Sequence, residues 1–245
     1  MPNNNLRLAG YDKQMVEYME KHFHRCIIRP MHQISKTQQT KEWEEAYLDT
    51  RRNFKTRKKR LLRFGITSKD SVLDLGCGDG LSVSILIKMG IKRVVGVDIS
   101  KYLIEKAKKN NPGVKFYLGK AESLPFRAKQ FDVVLVDSVF HHLYNYSKAI
   151  KEIKRVLVSG GLLCFIEPHQ SFLRRVLDLL CVLPVSKVLP VLRKRRITYL
   201  EEKDLMNHWL LTEHLFYKTL IKQKFKMIFQ KQDFLSIVGK YKNIS

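Results

Sequence analysis

Residues 72–80 read VLDLGCGDG, and this string decides the fold. Its apolar residues Val72, Leu73 and Leu75 are typical of a strand that is buried on both faces of a parallel sheet. The glycine-rich turn that follows lets the backbone bend sharply and approach a ligand closely. Because α/β sheets bind ligands at the carboxyl ends of their strands, the string predicts a cofactor site in an α/β fold.

Strand and helix signals alternate from Ser71 to Pro168. Helices are predicted over residues 81–89, from a Ser100 cap through Lys109, and over residues 149–157. A Ser159–Gly161 turn is expected before the last strand. Five strands are predicted, over residues 72–75, 93–97, 114–118, 132–136 and 162–166. This order predicts a Rossmann-like α/β domain with a mostly parallel sheet and helices on both faces.

Flanking segments extend this core on both sides. Residues 1–63 are expected to form a helical amino-terminal cap that ends in a basic run at residues 51–60, either a solvated helix face or a surface for phosphates. Residues 64–168 form the predicted core. Residues 169–245 are expected to be a basic, substrate-side region that completes the sheet, with a hairpin within residues 226–238.

The stretch from Phe172 to Arg196 combines apolar clusters with basic ends. Pro184 and Pro190 interrupt it, so two short amphipathic helices are predicted rather than one long helix. Such helices suit the interface of an anionic membrane, where the protein would make peripheral contact. Packing against the core, or as a lid over the active site, fits the same pattern.

Composition restricts the class of protein less than the motifs do. The chain has 46 Lys and Arg against 23 Asp and Glu, a net charge of +23. This charge favours anionic partners such as RNA, DNA or a membrane surface, although a Lys-rich codon bias has the same effect. The four cysteines form no metal-ligand spacing, so neither disulfides nor a metal site are expected. With no signal peptide or membrane span, a cytoplasmic protein is predicted.

Two aspartates narrow the predicted cofactor. Asp74 lies within the first strand, where its carboxylate would repel phosphates but suits a sulfonium and an α-amino group. Asp98 ends the second strand, where a carboxylate can accept hydrogen bonds from both ribose hydroxyls. The glycine spacing also lacks the third position of the dinucleotide fingerprint. Together these features indicate an adenosine with a positively charged appendage.

The chain resembles the class I S-adenosylmethionine-dependent methyltransferases, in particular the methyltransferase type 11 family. The resemblance covers roughly residues 72–168 in five ordered blocks: VLDLGCGDG, VVGVDIS, GKAESLPF, FDVVLVDSVFHHL and EIKRVLVSGGLLCFIEP. It implies S-adenosylmethionine as the cofactor. The residues that it implies for cofactor binding are Asp74, Gly76, Cys77 and Gly78 at the methionine end, Asp98 and Ile99 at the ribose and adenine, Ala121 and Glu122 beside the adenine, and Asp137 closing the site.

One position departs from the family pattern. The family usually has an acidic residue where this chain has Lys120, and lysine cannot accept a hydrogen bond from the adenine amino group. Either Glu122 or backbone carbonyls take over this role, or cofactor affinity is reduced. A relative that binds the cofactor without catalysis is therefore one alternative function.

A base for the methyl acceptor is predicted from two strand ends. His141 follows the fourth strand and Glu167 ends the fifth, so both side chains are expected in one crevice. His141 is the candidate base and Glu167 its orienting acid; alternatively, the HHL tripeptide mainly shapes the loop. The aromatic residues Trp43, Tyr47 and Phe54 are expected either to face the sulfonium or to dock a helix on the sheet.

The predicted function is methyl transfer from S-adenosylmethionine to a small-molecule or lipid- or saccharide-linked acceptor, with O-methylation favoured. An RNA methyltransferase is the second hypothesis, because the basic run at residues 51–63 suits a phosphate backbone. No recognisable RNA-binding module or Asn-Pro-Pro-Tyr type tetrapeptide accompanies it. Nucleic acid is therefore the less favoured partner.

Overall fold

The computed structural model describes residues 45, 46, 48, 53–143, 145–169 and 171–245. Most of the predicted amino-terminal cap, with Trp43 and Tyr47, lies outside these residues. The described part of the chain forms one seven-stranded sheet with strand order β3-β2-β1-β4-β5-β7-β6. Strands β1 to β5 pair in parallel, whereas β7 is antiparallel to both β5 and β6. The predicted Rossmann-like fold class is confirmed.

The strands are β1 (Ser71–Leu75), β2 (Arg93–Asp98), β3 (Lys115–Leu118), β4 (Phe131–Asp137), β5 (Leu157–Pro168), β6 (Phe225–Gln232) and β7 (Ser236–Asn243). The helices are α1 (Phe54–Leu62), α2 (Leu81–Lys88), α3 (Lys101–Asn110), α4 (Tyr146–Val156), α5 (Phe172–Val182), α6 (Val185–Val188) and α7 (Pro190–Lys222). A 3₁₀ turn covers Phe140–His142, between β4 and α4. Ser100 caps α3 as predicted, since its side chain accepts a hydrogen bond from Leu103 N at 3.2 Å.

Two hydrophobic layers cover the two faces of the sheet. One contains the apolar face of α4 and the aromatic residues Trp209 and Phe216 of α7. The other contains Leu61 of α1, Ile85 of α2 and Ala107 of α3. Because helices cover both faces of β1 and β4, these strands are almost wholly buried and most of their residues are apolar, as is typical of a parallel sheet.

The predicted hairpin near the carboxyl end is confirmed by the pairing of β6 with β7. The predicted Ser159–Gly161 turn instead lies inside β5. There the register jumps from Phe131 opposite Leu157 to Val133 opposite Leu162. Gly160 has φ of 76°, so these residues form an irregularity within a strand rather than a turn before it.

The prediction of two short amphipathic helices is wrong for the second of them. α5 ends at Val182, but the helix that begins at Pro190 continues for 33 residues. Proline fits the first turn of a helix because its missing N–H has no partner there in any case. Further along α7, Leu205, Trp209 and Phe216 are buried at helical spacing, so packing on the sheet stabilises the whole helix.

Candidate active site

Acidic side chains lie at the carboxyl ends of four neighbouring strands. Asp74 is in β1, Asp98 ends β2, Asp137 ends β4 and Glu167 is in β5; all four are at most 9% exposed. β1 lies between β2 and β4. From β1 the strand order first runs outwards through β2 to β3, and the chain then crosses to the other side of β1 to form β4 and β5. This is the position at which open α/β sheets bind their ligands. The structure therefore brings these predicted site residues together at the carboxyl ends of adjacent strands.

The glycine-rich turn after β1 is held in place by β2. Gly76 N and Cys77 N both donate to Val97 O, at 2.8 and 3.0 Å. Gly78 N donates to Asp98 Oδ2 at 2.8 Å, and Ser100 N donates to Asp98 Oδ1 at the same distance. Asp98 was predicted to bind the cofactor, together with Ile99 at the ribose and adenine. In the structure its carboxylate also fixes the turn.

Gly76 leaves no room for a larger residue. Its φ is 74°, and a Cβ atom added there would lie 2.1 Å from Val139 Cγ2 in the loop after β4. We expect Gly76→Ala to lower the free energy of unfolding by about 1–2 kcal/mol from the left-handed backbone alone, with the clash adding to this loss. Urea unfolding measures the effect. In a Val139→Ala background, Gly76→Ala should cost less unfolding free energy than it does in the unaltered protein. An equal cost in both backgrounds would contradict the clash.

Asp74 is a buried carboxylate whose environment favours a cationic ligand. Its side chain is 1% exposed, and Oδ2 has no hydrogen-bond partner among the described residues. Burial raises the pKa of Asp74 to about 7; the Arg57 charge opposes this, whereas Asp137 and Asp98 add to it. A ligand with a positive charge would stabilise the ionised form. The site thus fits the sulfonium and α-amino groups of S-adenosylmethionine.

The same raised pKa predicts a pH-dependent stability. Asp74 binds a proton more tightly in the folded protein, where its pKa is about 7, than at its ordinary pKa of 3.8. Its contribution to the unfolding free energy therefore falls as the pH rises from about 4 to about 7, and is constant above. We expect Asp74→Asn to gain stability relative to the unaltered protein over this range, by at most about 4 kcal/mol. Urea unfolding at pH 5 and pH 8 tests this; an equal difference at both values would contradict it.

Arg57 of α1 reaches into the acidic site. Its Nη2 lies 3.1 Å from Asp137 Oδ2, and its Nη1 donates to Ser82 Oγ at 3.2 Å. The basic run was predicted to be a solvated or phosphate-binding surface, and Arg57 was not among the predicted site residues. The signal was its spacing: Arg57, Arg60 and Arg63 share one helix face. Arg60 donates to Ser236 Oγ and Arg63 pairs with Asp233, so this face docks on the sheet.

The predicted base and its partner are in contact. His141 Nδ1 lies 2.8 Å from Glu167 Oε2, and both side chains are fully buried. Glu167 Oε1 also accepts from the N–H groups of Val139 and Phe140, each at 2.8 Å. Burial raises the pKa of Glu167 to about 8, although these N–H groups lower it. Glu167 therefore orients His141 and fixes the 3₁₀ turn that carries it.

Glu202 of α7 lies beside the paired histidines. The His141 and His142 rings are 4.1 Å apart, and His142 Nε2 lies 3.6 Å from Glu202 Oε1. Within the described ranges these three residues have the composition to hold a metal ion, since their ligand atoms lie within 4.8 Å of one another. Sequence spacing gave no indication of this cluster, because α7 brings Glu202 back to the site from far along the chain.

The remaining predicted residues surround the turn and the end of β3. Ile99 is 59% exposed, Glu122 and Lys120 are exposed, and Ala121 is buried. Cys77 is buried against Gly96 and Phe116, and burial raises the pKa of its thiol. Its backbone rather than its thiol therefore shapes the turn.

Phe54 is the described member of the three aromatic residues considered above. It packs against the core layer formed with α1 to α3, and Lys88 Nζ lies 5.0 Å from the centre of its ring. For Phe54 the contacts are those of a residue that docks a helix on the domain.

Comparison with known proteins identifies this type of site. Residues 73–165 match the family model described as "Methyltransferase domain". Three curated relatives, including an uncharacterized methyltransferase from Bacillus subtilis, are 35–36% identical to the chain, which covers only 30–49% of their length. The demethylmenaquinone methyltransferase of Staphylococcus aureus is 28% identical over 186 residues, which is 74% of each protein.

Solved structures share the fold. A methyltransferase from Haloferax volcanii in complex with its Trm112 activator has a TM-score of 0.60 at 17% identity, covering 82% of this chain and 94% of that one. An S-adenosylmethionine-dependent methyltransferase from Aquifex aeolicus has a TM-score of 0.56 at 18% identity, covering 76% and 89%. The family match and the strand-end carboxylates agree: residues 73–165 form a methyltransferase domain with the class I fold, and its cofactor is S-adenosylmethionine.

Proposed function

We propose that the protein transfers a methyl group from S-adenosylmethionine to an oxygen atom of a small-molecule or lipid- or saccharide-linked acceptor. The observation that carries this proposal is the juxtaposition of two features at one sheet edge. A buried acidic group at the ends of β1, β2 and β4 suits a cationic cofactor. Next to it, β4 and β5 present the buried His141–Glu167 pair, which suits deprotonation of an acceptor.

The cofactor half of the site depends on charge and on the fixed turn. S-Adenosylmethionine supplies a methyl group on a positively charged sulfur. Asp74 and Asp137 would offer negative charge to its cationic end, while Asp98 would accept from the ribose hydroxyls and hold the turn at the same time. Arg57 would remain at the rim, where its contact with Asp137 ties α1 to the site.

The acceptor half depends on the tautomer of His141. When Glu167 is ionised it accepts from His141 Nδ1–H, and Nε2 is then the atom able to accept a proton from an acceptor hydroxyl. The carboxylate would then stabilise the imidazolium that forms. Holding the hydroxyl in line with the methyl group supplies much of the remaining rate enhancement.

The names of the relatives support the acceptor class. One is a demethylmenaquinone methyltransferase, and another, from Mycobacterium ulcerans, is a phthiotriol/phenolphthiotriol dimycocerosates methyltransferase that is 34% identical over 103 residues. That alignment covers 41% of this chain and 38% of the relative. Both relatives are named for lipid or quinone-type acceptors, the class proposed here.

A radiolabelled methyl-transfer assay on fractionated host extract tests the proposal. The extract is separated into lipid, RNA, protein and small-molecule pools before incubation with the protein and methyl-labelled S-adenosylmethionine. We expect label in the lipid or small-molecule pool, released by treatments that cleave methyl ethers or esters. Label confined to RNA would favour the alternative function. Binding of S-adenosylmethionine without transfer to any pool would favour a non-catalytic protein.

A further inference from the structure

We infer that α5, α6 and the start of α7 form a docking surface for an anionic bilayer, which would present the acceptor to the site. This inference deepens the proposed function and rests on it for the acceptor. The surface, here called the docking surface, comprises residues 179–194. None of the described helices has the length and apolar character of a membrane span.

The docking surface exposes an unusual density of large apolar side chains. Val188 is 79% exposed and Val191 81% exposed. Five further apolar residues of the same segment are at least 40% exposed: Leu179, Val182, Leu183, Val185 and Leu189. Contiguous exposed apolar residues of this kind mark interaction sites rather than ordinary surface.

The hydroxyl group of Ser186, in the same segment, faces inwards. Ser186 is fully buried, and its single hydroxyl hydrogen is shared between the carbonyl oxygens of Cys181 and Leu183, at 2.9 and 2.6 Å from Oγ. Arg196 Nη1 donates to Cys181 O at 2.8 Å. The corner between α5 and α7 is thus held from inside by hydrogen bonds, and its apolar side chains point outwards. In a corner that packs against a protein core, the apolar side chains would instead point inwards.

The charge of the docking surface selects the partner. Residues 179–194 contain three basic residues, Lys187, Arg193 and Lys194, and no acidic residue, for a net charge of +3. Asp178 lies 3.8 Å from Arg195, whereas Lys187 and Arg193 are exposed beside the apolar residues. Apolar residues that insert at the acyl boundary, together with basic residues at headgroup level, match an anionic lipid surface.

The docking surface is within reach of the acceptor side of the site. Val191 precedes Glu202, the residue next to His142, by about 17 Å along α7. A cavity of about 290 Å³ lies between α5 and α7. Its lining includes Leu179 and Val182 of the docking surface as well as the polar residues Asp178, Tyr199 and Asn207. The cavity therefore offers both apolar and polar groups to an amphiphilic acceptor at the headgroup level.

Vesicle flotation of the full chain tests the inference. Vesicles of phosphatidylcholine alone are compared with vesicles containing 30% phosphatidylglycerol, at 0.1 M NaCl. We expect binding to the anionic vesicles, and at least about a tenfold weaker partition for Val188→Asp/Val191→Asp. The matched control is Ile221→Asp, which is 70% exposed near the other end of α7, about 45 Å from Val191. It should float like the unaltered protein.

The outcomes separate this inference from the proposed function. Equal flotation of the double variant and the unaltered protein, or binding to RNA instead of vesicles, would overturn the docking surface. S-Adenosylmethionine binding is measured by calorimetry on the same samples, and the melting temperature checks that each variant is folded. A protein that floats but does not bind S-adenosylmethionine would refute the proposed function alone. One that binds it but does not float would refute the docking surface alone.

Discussion

Replacing Asp98 with Asn should weaken binding of S-adenosylmethionine about 100-fold, or about 3 kcal/mol, because two charge-assisted contacts are lost. The first is the proposed bond to the ribose. The second is internal: the carboxylate accepts from Gly78 N and Ser100 N at 2.8 Å. An amide has only one oxygen, so its NH₂ group would face one of these N–H donors. The glycine turn would then be held less firmly as well.

Asp132→Asn is the matched control for this variant. Asp132 also accepts two hydrogen bonds, from Ser71 N and Ser71 Oγ at 2.8 and 2.7 Å. It lies at the amino end of β4, whereas the site lies at the carboxyl ends of the strands. We expect the affinity of the Asp132→Asn protein for S-adenosylmethionine to stay within twofold of that of the unaltered protein. Calorimetry gives both affinities, and melting temperatures separate loss of binding from loss of fold. An Asp98→Asn protein that binds within threefold of normal would refute the assignment.

The sequence could predict which residues meet at the carboxyl ends of the strands, because the alternation of strands and helices makes these strands parallel. Once β1, β2, β4 and β5 are recognised as parallel strands, the residues at their carboxyl ends must be neighbours. Asp74, Asp98 and Glu167 were found in this way and Asp137 through the family resemblance, and the structure places all four together. Cap signals had the same local character, as Ser100 shows at the start of α3.

Contacts made by helices packed from outside the core were not predictable in this way. Arg57 pairs with Asp137, and Glu202 lies beside His142, because α1 and α7 happen to dock at the site edge. Their docking follows from the packing of whole helix faces. The length of α7 was missed for the same reason: Pro190 read locally as a break, whereas burial of residues far along the helix outweighed it.

Glu167 has a second role, holding the loop after β4, which the pattern of strands in the sequence could not predict. Its predicted partner was His141, but it also accepts from the backbone N–H groups of Val139 and Phe140. These donors belong to a loop whose conformation the sequence did not specify. The two ideas considered for the HHL tripeptide, catalysis and loop shaping, therefore converge on one carboxylate. Separating them requires a variant that keeps the loop and removes only the base.

His141→Asn is that variant. The asparagine Nδ2 lies as many bonds from Cα as the histidine Nδ1, so it can still donate to Glu167, while nothing replaces Nε2. We expect turnover to fall at least about 100-fold, the usual loss when a general base is removed. Affinity for S-adenosylmethionine should change less than threefold, because the cofactor carboxylates lie on β1, β2 and β4. The assay is methyl transfer to the pool that accepts label, with calorimetry for binding.

The control for His141→Asn is the same change at His142. His142 is partly exposed and pairs with Glu202 at 3.6 Å rather than with Glu167. If His141 is the base, turnover of His142→Asn should stay within about fivefold of normal, and the two variants should differ widely. If the tripeptide only shapes the loop, both variants should lose turnover and thermal stability to a similar degree. Unchanged turnover in His141→Asn would exclude a base at this position, leaving positioning of the acceptor as the source of the rate enhancement.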